Sequence, residues 1–417
     1  MRRATGKLPA LLLGAAVATA ACGGGAHRAG GSAPVRQHRT HTSPASPAPS
    51  QSCGSASSAA AGAGSSGPQP ALNAVQFVSA SDGWVAGSDR ILHTTDAGQH
   101  WSVQFLSSPA AQLAAVDFTD ARHGWVTGAS EILATTDGGA HWRALPEPCQ
   151  AIRSVHFVNS LDGFAVAGGT AWSPSQAPYA AGPQSGGVLL RTTDGGLRWR
   201  QLPAPRDVQT VCFSNPARGW LGAGGSIYGS VNAGQSWTLA VRGPSSQGNH
   251  ALAEVQCAGS GAAWAELNGP GVALSHMAQI GYHTSGRTWQ PIFAEQYTAS
   301  PSLRKRVPAA SPSVYPGPFS AISPAQAVFI GWCPPCTAPA SPGLLGPAPM
   351  DIALHGGSVL LRRGRIARLG QASGAAFVSA DDGWVTGIGQ GSHAASMIMH
   401  TADGGRTWQD QYEMRSG

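Results

Sequence analysis

The sequence predicts an all-β fold, a seven-bladed β-propeller of four-stranded antiparallel blades. The composition favours short strands and turns, since 56 glycines and 31 prolines among 417 residues would interrupt helices. A short turn motif ending in tryptophan recurs along the chain, and an aromatic residue followed by Gly-Trp precedes most of its copies. Repetition about every 49 residues is typical of propeller blades.

The formal net charge of +6 comes entirely from the N-terminal part of the chain. Residues 1–71 contain six basic and no acidic side chains, so residues 72–417 carry 20 of each kind. Binding to the phosphate backbone of a nucleic acid requires an excess of Lys and Arg. We therefore expect no nucleic-acid partner.

The first 21 residues have the layout of a signal peptide. Residues 1–7 are basic, and residues 8–21 form an apolar run that is too short to span a bilayer comfortably. Residues 18–20 fit ordinary signal cleavage and secretion, whereas residues 19–22 resemble a lipoprotein box that would lipidate Cys22. Removing Cys22 from the seven cysteines leaves an even six, which favours the lipoprotein. We predict export to the outer side of the cell membrane, with plain secretion as the alternative.

Residues 22–70 are predicted to be a disordered tether that begins at the lipidation cysteine. They are mostly Gly, Ala, Ser, Pro, Thr and His with very few larger apolar side chains, so burial cannot offset the entropy lost on ordering. A flexible chain of this length spans roughly 40 Å, enough to hold a folded domain away from a membrane. The scattered His27, His38 and His41 are interpreted as solvated rather than as metal ligands.

The recurring turn has the form Ser/Thr-x-Asp-x-Gly-x-x-Trp in its clearest copies. Its acid can accept hydrogen bonds from turn amides, its glycines permit positive φ, and its tryptophan buries a ring beside the turn. Copies lie at residues 94–101, 135–142, 192–199 and 401–408, with an Asn variant at 230–237 and a copy without the acid at 284–289. These structural roles fall on Asp96, Asp137, Asp194, Asn232, Asp403, Trp101, Trp142, Trp199, Trp237, Trp289 and Trp408.

The second signature, Phe77 followed by Gly83-Trp84 in its first copy, marks strands one and two, and the turn joins strands three and four. In the first unit, strands are expected at residues 74–79, 84–87, 91–94 and 101–105. The propeller domain then covers residues 73–413 in seven units, 73–108, 112–148, 151–205, 208–244, 252–293, 319–370 and 374–413. The sixth unit lacks the turn motif and keeps a strand pair expected at 358–362 and 365–369.

The turn motif resembles the Asp-box, or bacterial neuraminidase (BNR) repeat. Together with the upstream Gly-Trp, it makes the chain most similar to the photosystem II stability/assembly factor-like propellers of the sialidase superfamily. The resemblance implies an exported or lumenal protein that binds partners and does not catalyse a reaction. Sialidases and xyloglucanase-like glycoside hydrolases also carry Asp-boxes, so an enzyme on the same fold is the alternative.

The longest insertions are expected to leave the side of the ring opposite the Asp-boxes, which we call the insertion face. They are residues 168–187, 268–280, 294–318 and 333–357. Long surface loops are tolerated at small entropic cost, but binding residues concentrate on such loops. The candidate ligand-binding residues, for an extracytoplasmic protein or polymer, are Trp172, Tyr179, Tyr297, Arg304, Lys305, Arg306 and Tyr315. The basic run at 304–306 could contact an acidic partner or lipid headgroups, or could be a solvated loop.

No catalytic constellation is evident in the sequence. Glycoside hydrolysis needs two carboxyl groups facing each other, and no spacing marks such a pair among the acids near the insertion face. We predict a monomer that needs no cofactor or metal, touches the membrane only through its lipid, and has no catalytic residue. An envelope spacer without a specific ligand is a third hypothesis. The acids near the insertion face that were considered as catalytic carboxyl groups are Asp89, Glu131, Glu266, Glu295 and Asp351.

Three disulfides are considered for the remaining six cysteines. Cys212 and Cys257 lie on first strands of neighbouring blades, one position out of phase, so their sulfurs can face each other. Cys333 and Cys336 form a CxxC in a proline-rich loop, where a short-loop disulfide is a simpler interpretation than a redox or zinc site. Cys53 and Cys149 would then be left as a pair that anchors the tether.

Overall fold

Every sheet in the structure consists of four strands that follow one another in the sequence. The computed structural model describes residues 71–414 apart from 108–111, 130, 147, 149, 169–186, 244–251, 260, 270–277, 287, 296–298, 311–316, 332–347 and 391–394. First strands of neighbouring sheets contact each other around the ring. The fold is the predicted seven-bladed propeller, whereas the predicted signal peptide, tether and Cys22 lie outside the described residues.

The first four blades follow the predicted order closely. Blade one is β1 (Leu72–Phe77), β2 (Gly83–Gly87), β3 (Arg90–Thr94) and β4 (Ser102–Leu106). Blade two is β5 (Ala115–Phe118), β6 (Gly124–Thr127), β7 (Ile132–Thr135) and β8 (Arg143–Ala144). Blade three is β9 (Ile152–Phe157), β10 (Gly163–Ala167), β11 (Val188–Thr192) and β12 (Arg200–Leu202). Blade four is β13 (Val208–Phe213), β14 (Gly219–Ala223), β15 (Ser226–Ser230) and β16 (Thr238–Val241).

The last three blades contain longer strands. Blade five is β17 (Leu252–Cys257), β18 (Ala263–Gly269), β19 (Ala278–Thr284) and β20 (Trp289–Ala294), followed by the short helix α1 (Pro301–Arg304). Blade six is β21 (Phe319–Ser323), β22 (Gln326–Ile330), β23 (Ala348–Leu354) and β24 (Val359–Ile366). Blade seven is β25 (Leu369–Phe377), β26 (Gly383–Gly389), β27 (Ser396–Thr401) and β28 (Gln409–Met414). No helix in the described part of the chain is long and apolar enough to cross a membrane.

Blade six departs from the strands expected for it. The pair expected at residues 358–362 and 365–369 is instead one unbroken outer strand, β24, followed by the start of β25. Gly364, which resembles a turn residue, has φ of +84° beside a register shift in the β23–β24 ladder, so it forms a bulge. The third strand, β23, lies inside the segment expected to be an insertion, because no Asp-box marks its end.

The aromatic and Gly-Trp signature builds the seams between blades. A Cβ at Gly83 would lie 2.6 Å from ring atoms of Phe77, so only glycine leaves room for the Phe ring over strand two. The other face of the Phe rings of blades one, two and three stacks on the Trp of the preceding blade. Trp84 and Phe118 are stacked with centroids 3.7 Å apart, and Trp125 and Phe157 at 3.5 Å. The signature therefore encodes packing between neighbouring blades, where aromatic pairs add stability beyond burial.

The side chain just before each Phe links one blade to the backbone of the next. Gln76 accepts a hydrogen bond from the amide of Phe118 at 2.6 Å, and Asp117 accepts one from the amide of Phe157 at 2.5 Å. His156 donates to the carbonyl of Phe213 at 2.8 Å. The corresponding bonds farther along the ring involve Gln256 with Phe319 and Ser320 with Phe377.

The disulfide between Cys212 and Cys257 takes this linking position at the seam of blades four and five. Cys212 directly precedes Phe213, and Cys257 stands where the other blades carry the aromatic residue. Their Cα atoms are 5.6 Å apart. A covalent bond thus replaces both the hydrogen bond and the stacked ring. The pairs Cys333–Cys336 and Cys53–Cys149 lie outside the described residues and stay predictions.

Replacing Cys212 and Cys257 together by serine is expected to lower the free energy of unfolding by about 3 kcal/mol. A cross-link that closes a loop of this length restricts the unfolded chain by that order, and the sequence separation is 45 residues. Denaturant unfolding of the wild type with and without reductant would check the value. A reductant effect that persists in the double variant would point to another cysteine pair.

Within residues 71–414, as far as they are described, the ring closes by packing, without an exchanged strand. Blade seven contains only β25–β28 and blade one only β1–β4. Trp384 stacks on Phe77 with centroids 3.5 Å apart, and its indole donates to the carbonyl of Ala97 at 3.2 Å. The amide of Leu72 donates to Ser396 at 2.8 Å. The closing seam therefore repeats the contacts of the other seams.

Candidate functional site

The four insertions attach to a single face of the ring. In a four-stranded meander, the two-to-three connections and the connections between blades leave the same edge, opposite the one-to-two and three-to-four turns. The insertions at 168–187, 268–280 and 333–357 follow β10, β18 and β22, which are second strands. The insertion at 294–318 follows β20, which is a last strand. This face is the insertion face, and the Asp-boxes lie on the other.

Part of the connection between blades five and six is described and carries the basic run. Helix α1 is capped by Ser300, and Leu303 and Val307 pack against a small cluster with Ile280. Arg304, Lys305 and Arg306 are exposed on this packed turn. Trp172, Tyr179, Tyr297 and Tyr315 lie outside the described residues, so a common surface formed by the seven predicted ligand-binding residues stays a prediction.

A second group of arginines, not singled out in the sequence, lies on β24 at the outer edge of blade six. Arg362 and Arg365 are exposed, and Arg362 donates to the carbonyl of Ala309 at 2.8 Å, next to the basic turn. Arg368 forms an ion pair with Asp410. In the sequence, the run of four arginines between residues 362 and 368 is the feature that indicates this basic group. Together with the run at 304–306 it makes this rim of the insertion face basic.

The Asp-box acids are engaged within their own turns. Asp137 accepts hydrogen bonds from the Thr135 hydroxyl at 2.9 Å and the His141 amide at 3.0 Å. Bonds from the side chain and amide of His141 lower the pKa of Asp137 to about 2. Asp96 and Asp403 make the same pattern of bonds. These carboxylates hold the turn together and point toward backbone amides.

The Asp-boxes of blades one, two and three also present a carbonyl to the preceding blade. The indole of Trp84 donates to the carbonyl of Gly138 at 3.2 Å, and that of Trp125 to the carbonyl of Gly195 at 3.0 Å. In blade five the box has lost its acid, and the Trp220 indole has no hydrogen-bond partner among the described residues. This is the seam that the Cys212–Cys257 disulfide closes.

The tight fit of the Asp-box against the preceding blade predicts a sharp glycine requirement. Gly139 has φ of +88°, and a Cβ there would collide with the side chain of Gln104, so Gly139→Ala is expected to lower the free energy of unfolding by about 2 kcal/mol. Gly364 has φ of +84° with no atom within 4 Å of an added Cβ. Gly364→Ala is the matched control and should cost about 1 kcal/mol. Equal losses in denaturant unfolding would show that the Gln104 contact is unimportant.

The acids considered for catalysis do not form a hydrolase pair. Asp89 is held by Arg90 in two hydrogen bonds of 2.8 Å. Glu266, Glu295 and Asp351 are buried, with 2%, 7% and 6% of their surface exposed, and Glu131 is half-buried. Buried carboxyl groups with protein partners are poorly placed to flank a glycosidic bond.

One acidic pair stands out in the structure, and only one of its members was considered in the sequence. Glu254 on β17 lies directly opposite Glu266 on β18. Gln256 donates to Glu254 at 3.1 Å, and Gln279 donates to Glu266 at 3.0 Å. After rotation of its amide, Asn268 also donates to Glu266 at 3.1 Å. Within the described residues the pair therefore receives hydrogen bonds from amides and none from a cationic side chain.

Burial dominates the electrostatics of this carboxyl pair. Burial raises the pKa of Glu254 to about 7, against a smaller lowering by the bond from Gln256. Burial and, secondly, the charge of Glu254 raise the pKa of Glu266 to about 8. The described residues contain no group of three His, Cys, Asp or Glu side chains placed to bind a metal ion.

Comparison with known proteins supports the repeat and the fold. A family model described as photosynthesis system II assembly factor YCF48 matches residues 106–268, which run from the end of blade one into blade five. No curated protein gives a significant match to the sequence.

Solved structures of similar fold include both binding proteins and enzymes. YCF48 bound to D1 peptide is 17% identical with a TM-score of 0.44, and the alignment covers 72% of this chain and 81% of that one. YCF48 from Cyanidioschyzon merolae is 17% identical with a TM-score of 0.45, covering 72% and 84%. The GH74 xyloglucanase from Xanthomonas campestris is 12% identical with a TM-score of 0.52, covering 82% of this chain and 54% of that one. At 12% identity the xyloglucanase shows the fold alone, and this chain spans about half of its length.

Proposed function

We propose that this chain, an Asp-box repeat propeller similar to the YCF48 assembly factors, is a non-catalytic binding or scaffold protein. It engages a protein or polymer through the insertion face. The observation that carries the proposal is the attachment of all four insertions to one face, next to a basic rim formed by the turn at 304–306 and by β24. The match to an assembly-factor family model supports a protein partner.

The location proposed for this function is outside the cytoplasm, with the chain tethered through a lipid on Cys22. The basic and apolar start of the sequence supports export. The disulfide between Cys212 and Cys257 supports it independently, since structural disulfides persist mainly in oxidising compartments. Mass spectrometry of the mature N-terminus would distinguish a lipidated Cys22 from cleavage near residue 20.

Charge reversal on one face tests the binding surface. The triple variant Arg304→Glu, Lys305→Glu, Arg306→Glu is compared with the wild type by cross-linking and affinity capture from an envelope extract. The matched control reverses three exposed arginines of the Asp-box face: Arg122, Arg198 and Arg406. We expect at least a tenfold loss of the captured partner in the first variant alone. Equal capture by both variants would exclude the basic turn as the contact.

A glycoside hydrolase is the second candidate, because the GH74 enzyme of TM-score 0.52 has the same fold. A screen of sialosides and polysaccharides would support it if turnover appeared and vanished in Glu266→Gln, Glu295→Gln or Asp351→Asn. We expect no turnover, since these three carboxyl groups are buried. Turnover that depends on one of them would replace the binding proposal.

A further inference from the structure

The carboxyl pair Glu254–Glu266 occupies a position where the repeat elsewhere carries small or neutral side chains. The repeat provides an internal comparison, because the same cross-strand pair can be read in each blade that keeps the register of strands one and two. Those pairs are Ala74–Ala86, Ala115–Thr127, Ser154–Val166, Thr210–Gly222 and Gly374–Thr386. The fold therefore does not require acids here, and two of them destabilise an otherwise neutral seam.

The pair faces the seam between blades five and six. Glu254 lies two residues from Gln256 and on the same side of β17, and Gln256 bonds to the Phe319 carbonyl at 2.7 Å and the Ala321 amide at 3.0 Å. Glu266 is 2% exposed, whereas Glu254 is half-buried. Since β17 is the innermost strand of its blade, Glu254 is the member that a ligand would reach first.

The polar groups around the pair leave an excess of acceptors. Gln279 is 5% exposed, and while its amide nitrogen donates to Glu266, its oxygen has no donor within the described chain. The polar side chains that face the two carboxyl groups in the described residues are the amides Gln256, Asn268 and Gln279. An oxygen buried without a donor is unfavourable by about 1–3 kcal/mol. Within the described residues the cluster thus contains no cationic side chain, and the Gln279 oxygen lacks a donor.

The neighbouring wall is aromatic. Gly281 lies opposite Glu266 across the sheet, and a side chain there would collide with the ring of Phe293, so that ring covers this part of the sheet. Phe293 and Phe319 are both almost fully buried. Apolar surroundings strengthen any interaction between a carboxylate and a cation, provided that the cation also satisfies the open acceptors.

We propose that Glu254 and Glu266, with the amide oxygen of Gln279, bind a primary ammonium group of a ligand at the seam of blades five and six. An ammonium has three N–H donors, which match three acceptors: one oxygen of each carboxyl group and the Gln279 oxygen. The ammonium can belong to a free amine or to a lysine side chain of a polypeptide.

Proton release gives this site a distinctive signature. At pH 7 Glu266 is largely protonated and Glu254 is about half protonated in the free protein, because burial raises the pKa of Glu266 to about 8 and that of Glu254 to about 7. An ammonium favours the carboxylate form. Binding at pH 7 should therefore release about one proton for each ligand, which is transferred to the buffer.

Isothermal titration of the full chain at pH 7, in two buffers of different ionisation enthalpy, tests the proposal. The probes are cadaverine and Nα-acetyl-lysine methylamide, and the control ligand is the same lysine derivative acetylated on Nε. We expect saturable binding of at least one amine, with about one proton released, and no binding of the acetylated compound. Preference for cadaverine would identify a free amine as the ligand class, and preference for the lysine derivative a polypeptide.

Matched variants separate the site from general charge. Glu254→Gln and Glu266→Gln should each weaken amine binding at least tenfold, while Asp207→Asn, at an exposed acid, should leave it unchanged. Both glutamine variants are expected to fold, because each removes a buried charge. Absence of saturable binding, or binding that survives both substitutions, would overturn the proposal. Capture through the 304–306 turn is measured separately, so failure here leaves the proposed function standing.

Discussion

Replacing Trp384 by alanine is expected to lower the free energy of unfolding by about 4 kcal/mol. Trp384 is completely buried, stacks on Phe77 at 3.5 Å and donates to the carbonyl of Ala97. All of these contacts cross the seam that closes the ring. Removing the indole leaves a large cavity where no exchanged strand supports the closure. Equilibrium unfolding in guanidinium chloride would measure the loss.

Trp384→Phe is the matched control for this seam. Blade three naturally carries Phe164 at the same position, stacked on Phe213 at 3.5 Å, so a phenylalanine can keep the stack. The bonds from the indole to the Ala97 carbonyl and to the Gln411 side-chain oxygen are then lost, which should cost about 1 kcal/mol. A loss below about 1 kcal/mol for Trp384→Ala would show that other contacts hold blades seven and one together.

Replacing Glu266 by glutamine is expected to stabilise the protein at alkaline pH by about 4 kcal/mol. The folded pKa of about 8 lies above the ordinary value of 4.5, so between these pH values the folded chain binds more protons than the unfolded chain. Stability must then fall as pH rises through this window, by about 1.4 kcal/mol for each unit of pKa difference. Glutamine resembles the protonated acid and removes that loss.

The measurement is the free energy of unfolding of wild type and Glu266→Gln at pH 5, 6.5 and 8. The two proteins should be nearly equal at pH 5 and diverge as pH rises. Asp137→Asn is the control, because the pKa of Asp137 is about 2 and its titration lies below this window. Parallel curves for wild type and Glu266→Gln would mean that Glu266 is already charged in the folded state.

The parts of the fold that follow from short stretches of sequence were predictable. The Asp-box turn is closed by bonds within eight residues, as in Thr135 to Asp137 and Gly139 to Thr135, so its composition alone identifies it. The pairing of Cys212 with Cys257 followed from their phase in the repeat. Blade six was misread where this local information ended, because β23 has no turn motif after it and Gly364 sits in a bulge.

The candidate site shows the same limit. The sequence indicated Glu266 as one of five acids near the insertion face, but no sequence pattern indicated Glu254. Its significance comes from the register that places it opposite Glu266 and from the seam, which buries Glu266 and half-buries Glu254. Likewise, only the structure shows that the arginines of β24 and the turn at 304–306 form one basic rim, because Arg362 donates to the carbonyl of Ala309 next to that turn.

The sequence by itself determined the repeat, the blade number and the face from which the insertions leave, because these depend on motif order and on strand alternation. Only the tertiary structure decided how the ring closes and which polar groups are left buried without a partner. Those properties arise from contacts between residues as far apart as Leu72 and Ser396. Such contacts depend on the accumulated geometry of all seven blades, which no local pattern specifies.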